Sequence, residues 1–332
     1  MQQRKVKIVG TGKYLPATTV ADREMDRRLG QPEGWTLRKT DVAVRHYAGG
    51  ETASEMGGKA ARAALNDAGL AFADIDCLVS TSGTMEQPIP CTAALIQRAM
   101  GQEHSGVPSF DINSTCLSFV AGLDTMSYLV AAGRYRRVLL VSTEIASGGL
   151  DWNDKESAAL FGDGAAAVVI EQAGEREKSQ ILYASMKTYS QGAHLSEIRG
   201  GGSRLPARQY RADIDKEFLF DMKGQAMFKL ASKLLPAFVG EMLEAAGIGM
   251  TDIRLVVPHQ GSALAMRLLQ RKLGIAESQL MYISRDHGNT IAASIPMGLH
   301  EAIVQGRIVR GDRVLLLGTS AGFSIGGIVL EY

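Results

Sequence analysis

The sequence predicts an α/β protein built from two similarly organised halves, residues 1–172 and 173–332. Short apolar runs typical of buried strands alternate with helical stretches along almost the whole chain. Several helical stretches end at a glycine, a common stop signal. A polar and charged join at 172–180 separates two segments with the same rhythm. Alternating strands and helices indicate a mostly parallel sheet covered by helices.

In the first half, brief apolar runs predict the strands and alanine-rich or amphipathic stretches predict the helices. The predicted strands are Lys5–Gly10, Asp76–Thr81, Val107–Ile112, Arg137–Thr143 and Ala165–Glu171. The predicted helices are Thr52–Ala68, which Gly69 ends, Cys91–Met100, which Gly101 ends, and about Cys116–Ala132.

In the second half, the same reasoning predicts a long amphipathic helix over Asp221–Ala246 and two shorter helices over Ser262–Leu273 and Thr290–Val304. The predicted strands are Ile181–Lys187, Leu255–Pro258, Met281–Ser284, Arg313–Leu317 and Ile325–Glu331. A Gly- and Arg-rich segment, 191–217, is expected to be a long loop, and loops of this length are usually functional or mobile.

Composition narrows the class of protein. The chain has 332 residues, a formal net charge of +1 and 6% aromatic residues, so nothing favours nucleic acid or a charged membrane as a general partner. Three widely spaced cysteines fit a reducing compartment better than a disulfide framework. No signal peptide or membrane span is visible. We therefore expect a cytoplasmic protein.

Cys116 is the first residue that points to chemistry. It follows the predicted strand Val107–Ile112 and lies in the first turn of the helix after it. Backbone N–H groups there have no partner within the helix, and the positive end of the dipole favours a thiolate, the nucleophilic form of cysteine. The alternative is a buried structural cysteine.

Two further residues complete a candidate catalytic set. His259 lies at the end of the predicted strand Leu255–Pro258, where ligands gather in open α/β sheets. Asn289 lies between a predicted strand and a predicted helix. Taken singly, the first can be a turn histidine and the second a helix cap. Together with Cys116 they indicate a catalytic site.

With these motifs the chain resembles the thiolase superfamily, and within it the β-ketoacyl-acyl-carrier-protein synthase III branch. The catalytic Cys, His and Asn of that branch match Cys116, His259 in Val-Pro-His-Gln, and Asn289 in Gly-Asn-Thr-x-Ala-Ala-Ser-Ile-Pro. Further matches are the Gly10-Thr11-Gly12 opening and Phe161-Gly162-Asp163-Gly164. The resemblance implies a thiolase-like fold, two α/β halves in five αβαβα layers, and a homodimer.

The resemblance also implies a two-stage covalent reaction. Cys116 attacks an acyl thioester, and the oxyanion is held by its own N–H and by one from the Gly322 loop. A malonyl thioester then loses CO₂, and His259 and Asn289 donate hydrogen bonds to the enolate before it attacks the acyl-cysteine. Neutral donors suit this role because carboxylates would repel the developing charge.

Rival families fit less well. Biosynthetic thiolases need a second cysteine in the C-terminal loop, and 318–324 contains none. Other elongating synthases use two histidines instead of His and Asn. His287 directly precedes Gly288-Asn289, a position that is not catalytic in the family.

The implied substrate contacts depart from the family pattern. Coenzyme A binding is assigned to Trp35, Lys39, Lys155 and Ser262, where lysine replaces arginine twice. Because lysine neither stacks nor binds phosphate bidentately, coenzyme A binding is expected to be weaker or replaced by carrier-protein delivery. Ile89 takes the place of the bulky residue that the partner subunit contributes to cap the primer pocket.

The docking of an acidic acyl carrier protein is assigned to Lys229, Arg271 and Lys272, with an ordinary solvated helix face as the alternative. The expected substrates are acyl-CoA or acyl-carrier thioesters and a malonyl thioester. No cofactor is expected, because no cluster has metal-ligand spacing and Gly10-Thr11-Gly12 lacks the third glycine of a dinucleotide fingerprint.

Three matters stay open in the sequence. One alternative is a same-fold acyltransferase or a head-to-head condensing enzyme, for which Glu86 is the candidate base. Another is a non-catalytic partner subunit, against which the complete Cys-His-Asn set argues. Primer length and the choice between coenzyme A and carrier delivery are not determined.

Overall fold

The computed structural model describes residues 3–332. Its strands are β1 Val6–Tyr14, β2 Thr18–Ala21, β3 Val44–Tyr47, β4 Cys77–Ser80, β5 Ser109–Asp111, β6 Arg137–Glu144, β7 Gly164–Gln172, β8 Gln180–Thr188, β9 Ser196–Glu197, β10 Asp221–Met222, β11 Leu255–Pro258, β12 Arg313–Ser320 and β13 Ser324–Glu331. Its α-helices are α1 Asp22–Arg28, α2 Trp35–Thr40, α3 Ala53–Ala68, α4 Thr92–Ala99, α5 Ser118–Ala131, α6 Lys155–Ala158, α7 Gly224–Ala246, α8 Ala263–Leu273, α9 Ser284–His287 and α10 Ser294–Val304.

Each half contributes one main sheet, and both sheets are mixed. The first has the order β1-β7-β6-β4-β5, and the second has the order β11-β12-β13-β8. Parallel pairing joins β6 to β4, β4 to β5 and β11 to β12, whereas the other neighbours are antiparallel. The prediction of mostly parallel sheets is therefore wrong. A three-residue turn joins β12 to β13, and such a connection permits only an antiparallel pair.

Five layers result from this arrangement. Helices α3 and α4 cover the outer face of the first sheet, and α7 and α8 cover the outer face of the second. Helices α5 and α10 lie between the two sheets, and their apolar side chains form the central core. The αβαβα architecture expected from the family resemblance is thus confirmed. The start of each central helix lies close to the ends of strands from both halves.

The predicted helix ends agree well where capping residues mark them. Thr52 caps α3 in a capping box with Glu55, and Gly69 ends the helix in the left-handed region. Ser262 caps α8 through the backbone N–H of Ala265, and Gly274 ends it. These local hydrogen bonds explain why the sequence locates both ends to within one residue.

Elements without such signals were less well predicted. The strand predicted at Met281–Ser284 is absent, because the Gln260 side chain takes the backbone N–H groups of Ile283 and Ser284. Helix α7 begins at Gly224 rather than Asp221, because β10 pairs with β9. Within 191–217, which was expected to be a long loop, short 3₁₀ turns and β9 are formed. No helix of residues 3–332 is long and apolar enough to cross a bilayer.

Candidate active site

A cavity of about 710 Å³ receives side chains from both halves of the chain. Cys116, His259 and Asn289 all line it, and so do Ser262 and Gly322. The two central helices explain this convergence, because Cys116 lies in the turn that leads into α5 and Asn289 lies shortly before α10. We call this cavity the chamber.

Cys116 lies on a tight, strained turn. A 3₁₀ turn, Thr115–Leu117, replaces the predicted first α-helical turn. Thr115 has a φ of 48°, a left-handed conformation that is costly for a threonine. The Thr115 N–H donates to Oδ1 of Asn113 at 2.8 Å, and the Ser118 hydroxyl donates to the Thr115 carbonyl at 2.7 Å. These bonds fix the sulfur at the chamber wall.

The surroundings of the Cys116 sulfur oppose its ionisation. Burial raises its pKa to about 12, and the negative charge of Glu144 acts in the same direction. The backbone N–H groups of Ala321 and of Cys116 itself oppose this rise only partly. The expectation of a resting thiolate is therefore wrong, because burial outweighs the N–H groups around the sulfur. A base must remove the proton when the sulfur attacks.

His259 has the properties of that base. Burial lowers its pKa to about 4, so the imidazole is neutral at physiological pH. Its Nδ1 lies 2.8 Å from Oγ of Ser294, whose own hydroxyl donates to the Ile291 carbonyl. Because that hydroxyl proton is used, Nδ1 carries the hydrogen and Nε2 keeps its lone pair. Nε2 can therefore accept a proton.

The backbone of a neighbouring strand packs closely against the side chain of His259. Gly318 of β12 lies behind it, and a Cβ there would come within 2.9 Å of the His259 Cβ. Only glycine leaves this space.

Asn289 presents its amide nitrogen as a donor. Its Oδ1 accepts the backbone N–H of Ile291 at 2.9 Å, which fixes the orientation of the amide. The Asn289 backbone N–H donates to the Leu160 carbonyl, and its carbonyl accepts the Gly162 N–H, so the segment between α6 and β7 holds the turn before α10 in place. The remaining contact of Nδ2 is long, 3.5 Å to the Gly261 carbonyl. Nδ2 is thus free to bind an oxygen atom in the chamber.

The second backbone donor near the sulfur lies in the turn between β12 and β13. The Ala321 N–H hydrogen-bonds to the sulfur, and Gly322, with a φ of 80°, follows it and lines the same chamber. The Thr115 hydroxyl contacts the Ala321 carbonyl at 3.3 Å, which ties this turn to that of Cys116.

Apolar side chains form most of the remaining chamber wall. They come from the loop after β6, from the segment between β9 and β10, and from α7: Ile145, Leu150, Phe161, Ile198, Phe220 and Phe228. Phe161 and Phe220 pack edge to face with their centroids 5.3 Å apart. Such a wall suits an apolar ligand.

The four predicted coenzyme A contacts do not all lie at the chamber. Ser262 lines the chamber, whereas Trp35, Lys39 and Lys155 lie outside it. Trp35 is half-buried against a small apolar cluster. Lys39 pairs with Glu156 at 3.2 Å on the surface.

Other predicted site residues lie on the surface. Ile89 is 83% exposed and does not touch the chamber of its own chain. Lys229 on α7 and Arg271 and Lys272 on α8 are exposed. Glu86 lies outside the chamber as well, and its carboxylate accepts the Ser54 N–H at 2.7 Å.

Sequence reasoning missed three buried polar residues at the site. Ser294 fixes His259, Gln260 holds the chain before α9, and Glu144 binds the loop after β4. Gln260 directly follows His259, and Ser294 lies five residues after Asn289 in the same motif. Glu144 ends an apolar strand, and a carboxylate at such a position was the available signal.

Comparisons with known proteins agree with this geometry. Residues 110–190 match the family model 3-oxoacyl-[acyl-carrier-protein (ACP)] synthase III, and residues 243–332 match the model of its C-terminal part. A curated β-ketoacyl-[acyl-carrier-protein] synthase III from Thiobacillus denitrificans is 35% identical over 332 residues, covering 98% of this chain and 99% of the relative.

Solved structures show the same relationship. The 3-oxoacyl-[acyl-carrier-protein] synthase III from Aquifex aeolicus VF5 superposes with a TM-score of 0.88 at 32% identity, covering 98% of this chain and 100% of that one. The enzyme from Pseudomonas aeruginosa PAO1 gives 0.89 at 28% identity, covering 99% and 98%. This chain therefore belongs to the β-ketoacyl-[acyl-carrier-protein] synthase III family, condensing enzymes of the acyltransferase class with a thiolase-like fold.

Proposed function

We propose that Cys116 takes an acyl group from an acyl thioester and passes it to the enolate of a decarboxylated malonyl thioester. One observation carries this proposal: a single chamber with an apolar wall holds a thiol, a neutral imidazole with a free Nε2, and an amide with a free Nδ2. Each group suits one step of the reaction, and none of them needs a metal or redox cofactor.

In the first stage the sulfur attacks the thioester carbonyl. As the new S–C bond forms, the thiol proton passes to Nε2 of His259, and the developing oxyanion is held by the backbone N–H of Cys116 and by one from the Ala321–Gly322 turn. The bond to the leaving sulfur then breaks, and that sulfur takes the proton from His259. The enzyme is left as a neutral acyl-cysteine with a neutral histidine.

In the second stage the malonyl thioester loses CO₂ and its carbonyl oxygen becomes an enolate oxygen. Nδ2 of Asn289 donates to it directly. Donation from Nε2 of His259 requires the other tautomer, which Ser294 permits because a hydroxyl can donate to Nδ1 as well as accept from it. The enolate carbon then attacks the acyl-cysteine, the S–C bond breaks, and the departing Cys116 thiolate takes up one proton from water.

The acyl substrates are proposed to arrive on an acyl carrier protein or, more weakly, on coenzyme A. Trp35, Lys39, Lys155 and Ser262 are the proposed coenzyme A contacts, and at two of them a lysine supplies only a point charge. Docking of the acidic carrier is assigned to a basic face on two helices, formed by Lys229 of α7 and by Arg271 and Lys272 of α8. The reducing cytoplasm is the proposed location.

A homodimer would complete the chamber. The loop that carries Ile89 also exposes Met85 by 60%, and β5 is an edge strand of the first sheet. Exposed apolar side chains beside an unpaired strand edge favour contact with a second copy. We propose that Ile89 of each subunit caps the primer pocket of the other.

The test is a panel of acyl-CoA and acyl-carrier thioesters of increasing chain length, followed by intact-mass spectra and peptide mapping. The expected result is one acyl mass on Cys116 and none on the Cys116→Ala variant, which should lose condensation by at least about 10³-fold. An adduct on Cys77 or Cys91, or no adduct with any member, would contradict the proposal.

A further inference from the structure

His287 is a buried histidine that the reaction scheme does not use. It is the last residue of the short helix α9, two residues before Asn289. Its Nε2 lies 2.7 Å from Oε1 of Glu301, a half-buried residue of the central helix α10. An ionised carboxylate only accepts hydrogen bonds, so Nε2 carries a hydrogen and donates it to Glu301.

Glu301 is also held from a second direction. Nζ of Lys13, on β1, lies 2.6 Å from the same carboxylate oxygen. Burial by itself would raise the pKa of Glu301, but the hydrogen bonds from His287 and Lys13 outweigh it and lower that pKa to about 2. Glu301 is thus ionised at physiological pH, and it joins β1 and α10 to the end of α9.

The residue between His287 and Asn289 is a glycine in the left-handed region. Gly288 has a φ of 69°, and a Cβ there would lie 2.8 Å from the Leu160 carbonyl oxygen. On the facing segment, a Cβ on Gly162 would collide with the His287 carbonyl oxygen. His287 therefore packs against the same segment that hydrogen-bonds to the Asn289 backbone, and a displacement of one is passed to the other.

The bond between His287 and Glu301 closes the chain around Asn289 into a ring. The chain leaves His287, passes through the turn that carries Asn289, and continues as α10 to Glu301, whose carboxylate returns to His287. A bond that joins the two ends of a loop limits the conformations open to the residues between them. Asn289 is thereby restrained from the side that its own hydrogen bond to Ile291 does not reach.

We propose that His287 and Glu301 are positioning residues that place the Asn289 amide at the chamber for the malonyl stage. Neither of them lines the chamber. His259 does not depend on their bond, because Ser294, which holds its ring, belongs to α10 itself. The acylation of Cys116 is therefore left intact when the bond is lost. This role rests on the proposed function, because it assigns Asn289 to the second stage.

Glu301→Gln is the first test, because it keeps the shape of the side chain and removes its charge. We expect CO₂ release from the malonyl thioester to fall about tenfold, since a misplaced donor holds the enolate less well, while self-acylation of Cys116 stays at the wild-type rate. Amide hydrogen exchange of residues 284–293 in the free enzyme, read by peptide mass, should become faster.

Glu171→Gln is the matched control. Glu171 also receives two basic side chains, with Nε of Arg137 at 2.6 Å and Nζ of Lys7 at 3.3 Å, but within the first sheet and away from the Asn289 turn. Its side chain is 18% exposed, against 13% for Glu301. The ratio of CO₂ release to self-acylation, and the exchange of residues 284–293, should stay at the wild-type values.

Two variants of His287 separate the hydrogen bond from the packing of the ring. His287→Phe keeps a ring and loses the donor, so it should reproduce the loss seen in Glu301→Gln. His287→Gln keeps an N–H donor on a side chain of similar reach, so it should restore most of the rate of CO₂ release. Equal loss in both variants would mean that the ring packing matters and not the bond, which overturns the proposal.

Two results with Glu301→Gln also overturn it: an equal loss in both stages, or hydrogen exchange at the wild-type rate. If Glu301→Gln does not fold, the two His287 variants give the same comparison. Hydrogen exchange needs no substrate, so the restraint on the turn is tested whether or not any thioester acylates Cys116. A wild type that is not acylated would contradict the proposed function alone.

Discussion

The chamber and the basic surface of this enzyme are built on different principles. In the chamber, the side chains of His259 and Asn289 are fixed by hydrogen bonds, the first to Ser294 of a distant segment and the second to the Ile291 N–H of its own turn. On the basic surface, defined by Lys39, Lys155, Lys229, Arg271 and Lys272, side chains are exposed, and Lys39 pairs with a carboxylate that is itself exposed. In the chamber, the reaction therefore depends on the exact position of each side chain. On the surface, the attraction of a charged partner depends on net charge.

This difference predicts how each region responds to mutation. In the chamber, replacing one side chain should change a single chemical step strongly, because neighbouring groups keep their places. On the surface, replacing one charged side chain should change the rate of encounter with a charged partner modestly, and the size of the change should depend on salt.

After Cys116→Ala, the largest effect is expected for Asn289→Ala. Loss of a positioned hydrogen-bond donor to an enolate should slow decarboxylation and condensation by roughly 10²- to 10³-fold. Self-acylation of Cys116 should remain measurable by intact mass, since Nδ2 has no part in that stage. Equal loss of both stages would show that the substitution damages the whole chamber.

An intermediate effect is expected for the pH dependence of stability. The pKa of His259 falls from its ordinary value of 6.5 to about 4 on folding. The unfolded chain therefore binds more protons between these values, and stability is lost as the pH falls through this window. Urea unfolding at pH 7 and pH 4.5 should show that the wild type loses about 2 kcal/mol more than His259→Gln.

Glu144 acts in the opposite direction over nearly the same range. Burial raises its pKa from 4.5 to about 7, so its contribution to stability is present at low pH and is lost as the pH rises through 7. The comparison must therefore be made between variants rather than from the wild-type curve alone. If the free energy of unfolding of the wild type and of His259→Gln depends on pH in the same way, burial does not lower the pKa of His259.

The smallest effect is expected on the basic surface. Charge reversal of Arg271 and Lys272 to glutamate should raise KM for a carrier-borne substrate several-fold and weaken its salt dependence, with little change in kcat for a small thioester. Reversal of Arg176 and Lys178, two exposed charges in the join between the halves, is the control. If both pairs change KM alike, the docking assignment fails.

Much of the fold could be predicted because its signals are local. Thr52 with Glu55, Ser262 and the glycines at 69 and 274 form caps through neighbours in sequence. The strand at Leu255–Pro258 was predicted to the residue, since a short apolar run has few alternatives. The segment Met281–Ser284 was mistaken for a strand because a distant glutamine side chain takes its backbone N–H groups.

The candidate site shows the same division. The motif order pointed to Cys116, His259 and Asn289, and the structure places all three on one chamber. The protonation states of Cys116 and His259 could not be predicted from the motifs. A helix terminus suggested a thiolate, but burial and the Glu144 carboxylate raise the pKa of Cys116, and neither is visible from residues 111–119.

The sequence by itself determined the class of protein, the order of its elements and the identities of the reacting groups, because composition, periodicity and capping are properties of neighbouring residues. Only the tertiary structure decided that burial raises the pKa of the Cys116 thiol, that Ser294 holds the His259 ring, and that all three reacting groups line one chamber. Those facts depend on burial and on hydrogen bonds between segments far apart in the chain, and such contacts exist only once both sheets have packed around the two central helices.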